Sequence, residues 1–142
     1  MKRFFFPILF LLIFVFFGIM LESSKKTQIR KGSSSYGTII ATLDGKYVKK
    51  GESNYGDVVV TIKGDKIIAG KSNYGTVIAN ITGNYIRKGS NRYADIIANI
   101  SGDYIRKGEN RYADILFKIV GPATTVEKGA LAVAALRLSG EL

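Results

Sequence analysis

The side chains able to do chemistry in this 142-residue chain are bases, tyrosines and carboxylates that recur at one spacing. Arg30-Lys31, Lys49-Lys50, Arg87-Lys88 and Arg106-Lys107 stand nineteen residues apart or at twice that, and Ile68-Ala69 breaks the series. A ring of such pairs can hold phosphates or carboxylates, and each Lys or Arg close to an anionic membrane contributes about 1 kcal/mol. The competing use is protection of sheet edges and solubility, for which exposed strands carry Lys. Tyr36, Tyr55, Tyr74, Tyr93 and Tyr112 share the period. They could stack on bases or sugar rings, or pack as cross-strand pairs on the outer face of a sheet. Asp57, Asp95 and Asp114 follow the tyrosines by two positions. They could pair with Arg92 and Arg111, which reads as a surface ion pattern and not as a catalytic carboxylate dyad.

The chain has no His, no Cys and no Trp. Without His or Cys neither a Ser-His nor a thiolate arrangement can be assembled, and the commonest metal ligand and neutral-pH base are missing. The expectation is a protein that is not an enzyme and carries no metal and no cofactor. The glycines read as turns, since no helix follows them to cradle a phosphate. Setting aside Lys2 and Arg3, nineteen basic residues face eleven acidic ones, a balance of +8. Such a charge favours anionic partners, whether lipid headgroups, an acidic envelope polymer or nucleic acid, of which nucleic acid is not the expected one, and a solvated charged face is the plainer reading.

These residues must be positioned by repeats. Besides the tyrosines, Gly32, Gly51, Gly70, Gly89 and Gly108 keep the period, as do Gly45, Gly64, Gly83, Gly102 and Gly121. Five repeats therefore run over 27–121. Within each, a short β-rich stretch such as YIRKG is followed by a longer one such as NRYADIIANI. Gly83-Asn84 and Gly102-Asp103 have hairpin-turn chemistry, so each repeat predicts two antiparallel strands. Alternation assigns the buried face of the longer strand to Ile39, Ala41, Leu43; Val58, Val60, Ile62; Val77, Ala79, Ile81; Ile96, Ala98, Ile100; and Ile115, Phe117, Ile119. The opposite face is mixed and half wet. Two places before each set stands a small residue, Gly37, Gly56, Gly75, Ala94 or Ala113, which suits strands converging on a narrow axis.

Two closures compete. Five hairpins can close radially about one axis, or each repeat can be one coil of a β-solenoid, which would make a structural or adhesive surface protein. The solenoid needs no hairpin turns and leaves open ends to cap, so the radial arrangement is favoured.

On its Gly-Asn/Asp-Tyr-Ile-Arg-Lys-Gly and Asn-Arg-Tyr-Ala-Asp-Ile-Ile signatures, its five petals and its leading apolar segment, the chain resembles the beta-flower domains, specifically the five-fold form. The resemblance covers about residues 27–140. It implies a small closed all-β flower, similar in shape to tubby-like barrels, and a connection with lipids that is suggested for the family by that likeness.

The ends differ from the repeats. Phe4 to Leu21 is an unbroken apolar run of 18 residues behind Lys2 and Arg3. Its length suits a helical membrane anchor or a signal peptide, with a buried core helix as a third reading. Residues 22–26 form a linker. After Gly121, VEKGALAVAALRLSGEL is rich in helix formers and apolar nearly all round. It predicts a helix over 122–142 packed on the β domain, with a closing strand as the alternative. The expected whole is an all-β binding module of the cell envelope, membrane-anchored or secreted, its basic pairs on an exposed rim.

Overall fold

The structure, a computed structural model, describes residues 26–142. The apolar run and nearly all of the linker lie outside the described residues, and with them the expected N-terminal helix. Ten strands follow one another. Short ones, β1 (Gln28–Lys31), β3 (Tyr47–Lys50), β5 (Lys66–Ala69), β7 (Tyr85–Lys88) and β9 (Tyr104–Lys107), alternate with longer ones, β2 (Ile39–Asp44), β4 (Val58–Lys63), β6 (Val77–Thr82), β8 (Ile96–Ser101) and β10 (Ile115–Val120). Each pairs antiparallel with its sequence neighbours, and β1 pairs with β10 to close the barrel. Closure removes every free edge and rules out the solenoid.

The up-and-down order puts each kind of connection at its own end. Two-residue turns join β2 to β3, β4 to β5, β6 to β7 and β8 to β9. At Gly83 φ is 60°, and among the described residues none other than glycine has positive φ. A positive angle at the first turn position alone is the type II′ pattern, whose twist matches that of the flanking strands. Seven-residue loops, 32–38, 51–57, 70–76, 89–95 and 108–114, join each short strand to the next long one and gather at the opposite end.

Among the described residues one helix, α1 (Thr125–Leu138), fills the bore. Gly129 through Leu136 are buried without a break, which no helix lying on a surface can achieve. It packs against β1 to β4 and β6 to β8. Its 14 residues span about 21 Å, close to the roughly 20 Å of a six-residue strand. Thr124 and Glu127 form a capping box, and Lys128 Nζ reaches Gly102 O (2.9 Å), so the helix begins at the turn end. The C-terminal segment is thus a helix inside the barrel and not a closing strand. Among the described residues no helix is long and apolar enough to cross a membrane.

Room for the helix comes from pairing large with small across the strands. Ile29 faces Ala41, Ile67 faces Ala79 and Ile86 faces Ala98. The helix answers with Ala130, Ala132, Ala134 and Ala135. Val48 and Ile105 complete the short-strand ring, whose five members are all 0% exposed. This ring was not among the expected interior residues.

The expected inward face is corrected at one column. Ala41, Val60, Ala79, Ala98, Phe117, Ile81, Ile100 and Ile119 are buried, with Leu43 and Ile62 packed beside them. Ile39, Val58, Val77, Ile96 and Ile115 are half-buried and lie outside that core, where Ile40, Val59, Ile78, Ile97 and Leu116 take part instead. The cause is a β-bulge in each longer strand. Ile29 pairs with Ala41 while Arg30 pairs with Ile39, which leaves Ile40 as the extra residue and resets the alternation.

Candidate functional site

The five long loops are built alike and are held from below. In each, a Ser or Asn side chain accepts from the tyrosine amide two residues on: Ser34 to Tyr36 (3.0 Å), Ser53 to Tyr55 (3.0 Å), Ser72 to Tyr74 (3.1 Å), Asn91 to Tyr93 (2.8 Å) and Asn110 to Tyr112 (2.8 Å). Such side-chain turns fix the backbone locally. A second clamp comes from the middle of the longer strands. Thr42 and Thr61 donate to Gly51 O and Gly70 O (2.7 Å each). Asn80 donates to both Gly89 O (2.9 Å) and Asn91 O (3.1 Å), and Asn99 does the same to Gly108 O and Asn110 O. These four side chains, expected on a half-wet face, are buried because the loops fold back over them.

The first residue of each basic pair is a third clamp. Arg30 Nη1 donates to Gly37 O (3.0 Å), Arg87 Nη1 to Ala94 O (2.7 Å) and Arg106 Nη1 to Ala113 O (2.8 Å). Lys49 Nζ reaches Asn54 O (2.5 Å) and Asp44 (2.8 Å). All four are half-buried, and the Nε atoms of the three arginines are buried without partners. The expected exposed ring of eight cations is therefore corrected. Only the second members, Lys31, Lys50, Lys88 and Lys107, are exposed, and they stand at the loop end. The break at Ile68 now has a reason. Its side chain is 2% exposed and packs where the clamp would be, against Gly75, at which a Cβ would meet Ile68 Cγ2 at 3.1 Å.

The tyrosines are not cross-strand pairs. Tyr36, Tyr55, Tyr74, Tyr93 and Tyr112 sit on the loops and are 86 to 97% exposed. They crown one end of the barrel. Asp57, Asp95 and Asp114 are exposed beside them and form no ion pair with Arg92 or Arg111; among the described residues the salt bridges are Lys49–Asp44 and Lys128–Asp103. Glu52 and Glu109 add to the acids there, against Lys71, Arg92, Arg111 and the four exposed lysines, so the loop end is mixed in sign. Two open grooves run along the outer wall. One, of about 710 Å³, lies between the last two tight turns and the loop at 108–114; the other, of about 410 Å³, lies around Ile68 and Tyr74.

A family model described as "6-fold beta flower protein" matches residues 24–142. No curated protein and no solved structure matches the chain.

Proposed function

The chain belongs to the 6-fold beta flower family, and from that premise we propose that it is a five-petalled, non-enzymatic binding module of the cell envelope. Its ten strands make five short–long pairs, one fewer than the family description names. In this reading the apolar run at 4–21 serves as signal or anchor, and the loop end docks on an anionic lipid surface.

The observation that carries the reading is the crown of five tyrosines, 86 to 97% exposed at one end of the barrel. Large rings held in water without packing mark interaction surfaces. Tyrosine suits the boundary between hydrocarbon and headgroups, where an apolar ring and a polar tip each find their solvent. Loop clamps hold the backbone beneath the rings before contact, so the loops lose little entropy on docking. Lys31, Lys50, Lys88 and Lys107 stand beside the crown and supply the preference for anionic headgroups. Because acids share the loops, the electrostatic part of the affinity is modest.

The chain enters β1 at the turn end, opposite the crown. Residues 22–26 reach at most about 18 Å, less than a barrel wall of about 20 Å with its loops added. An anchored copy therefore turns its crown away from the membrane that holds it and toward a second surface. The basic residues and the anchor do not share one bilayer in this arrangement.

The test is sedimentation of residues 26–142 with vesicles of neutral and of anionic lipid. Binding to anionic vesicles is expected, weakening severalfold between about 0.05 and 0.5 M salt as the Debye length shortens. Replacing the five tyrosines by Ser should abolish it without lowering the melting temperature. Binding that survives the loss of all five rings would reject the crown as the docking face.

A further inference from the structure

Besides the loop tyrosines the barrel has a second aromatic column, on its outer wall near the tight turns: Tyr47, Tyr85 and Tyr104, with Lys66 in the same register. Two of these rings are covered by lysines. Lys46 and Lys71 lie 5.3 and 5.5 Å from the Tyr47 centroid, and Lys118 lies 4.3 Å from that of Tyr104. Around Tyr85 all three covering positions hold another residue type, with Asn84 standing where Lys46 stands relative to Tyr47. Glu109 stands where Lys71 stands relative to Tyr47, and Asn99 stands where Lys118 stands relative to Tyr104. Asn99 is committed to the carbonyls of Gly108 and Asn110. Among the described residues Arg87, at 5.8 Å, is the cation over this ring, whereas Tyr104 has Arg106 at 6.0 Å in addition to Lys118. Tyr85 keeps an open face, 38% exposed, in the groove of about 710 Å³.

The chemistry of the lining selects among ligands. Glu109 and Arg111 border the groove with opposite charges and no ion pair between them or to any other described residue. Lys128 is bound to Asp103 and Gly102 O, and Arg87 to Ala94 O. Of the charges left uncommitted, Arg111 opposes a cationic ligand and Glu109 an anionic one. A polyhydroxylated ring meets neither penalty. Its apolar C–H face can lie on Tyr85 while its hydroxyls donate to Glu109 and accept from Arg111, with Asn84 and Ser101 adding amide and hydroxyl groups at the groove wall. We infer that this groove is a saccharide-binding site taking one or two sugar rings, a size within the range of small-molecule pockets. It shares the loop at 108–114 with the tyrosine crown but uses none of the crown's rings.

The test uses the full chain in phosphocholine micelles, titrated with cellobiose, maltose and N,N′-diacetylchitobiose to about 10 mM, with amide shifts read by NMR. At least one disaccharide should shift the amides of Asn84, Tyr85, Ser101, Glu109 and Arg111. Tyr85→Ala should weaken it at least about tenfold. Tyr85→Phe should retain binding, since the ring face is what the sugar covers, and Tyr47→Ala should leave it unchanged. Replacing the five loop tyrosines by Ser should also leave it unchanged, which separates this site from lipid docking. No shift with any of the three sugars, shifts confined to other surfaces, or equal losses for Tyr47→Ala and Tyr85→Ala would each overturn the proposal.

Discussion

Arg106 and Lys107 are neighbours in the chain and have unlike surroundings. Arg106 is half-buried and gives Nη1 to Ala113 O, while Lys107 is exposed and makes no side-chain hydrogen bond or ion pair among the described residues. A hydrogen bond from a charged donor contributes more than a neutral one, and the unpartnered Nε of Arg106 offsets part of that gain. Arg106→Ala is accordingly expected to destabilise by about 1 to 2 kcal/mol in thermal melts. Lys107→Ala should stay within about 0.5 kcal/mol. Equal effects would mean that the arginine does not hold its loop. The spacing of the pairs was visible in the sequence, but this division of labour was not. It depends on loops that fold back over the wall, and nothing in the repeated residues shows that fold. The open ring of Tyr85 was hidden for a similar reason, because the residues that differ around it, Glu109 and Asn99, come from other strands and loops than its own.

At the scale of elements, the hairpins were legible because glycine and Asn or Asp at fixed offsets leave the backbone few alternatives. The bulge was not. Ile39 and Ile40 are both apolar, so a one-residue reset of the inward face leaves the pattern of side-chain types almost unchanged. The helix was legible as apolar all round, yet its place inside the barrel rests on fit. At Gly129 a Cβ would lie closer to Ile81 Cδ1 than two carbons can approach, and 2.8 Å from its Cγ1. Alanine would favour the helix by about 1 kcal/mol, while overpacking a closed core costs about 1 to 3 kcal/mol. Gly129→Ala should therefore destabilise by up to about 2 kcal/mol, and less in an Ile81→Val background, where the nearest contact is gone. Additive losses in the double variant would place the helix elsewhere than against β6.

For the whole molecule, the antiparallel order of the strands separates two ends, one carrying the chain's entrance and the tight turns, the other the clamped loops and their tyrosines. Five exposed rings at one end of the barrel form a face. The chain has no Trp, so a single introduced one reports without background. Tyr93→Trp places it on the crown, and Lys46→Trp places it in a tight turn at the other end. With vesicles containing anionic lipid brominated along its acyl chains, the Tyr93→Trp protein should show a blue-shifted and quenched emission, while the Lys46→Trp protein should be unaffected. Quenching of the Lys46→Trp protein as strong as that of the Tyr93→Trp protein, or quenching of neither, would contradict docking through the tyrosine crown.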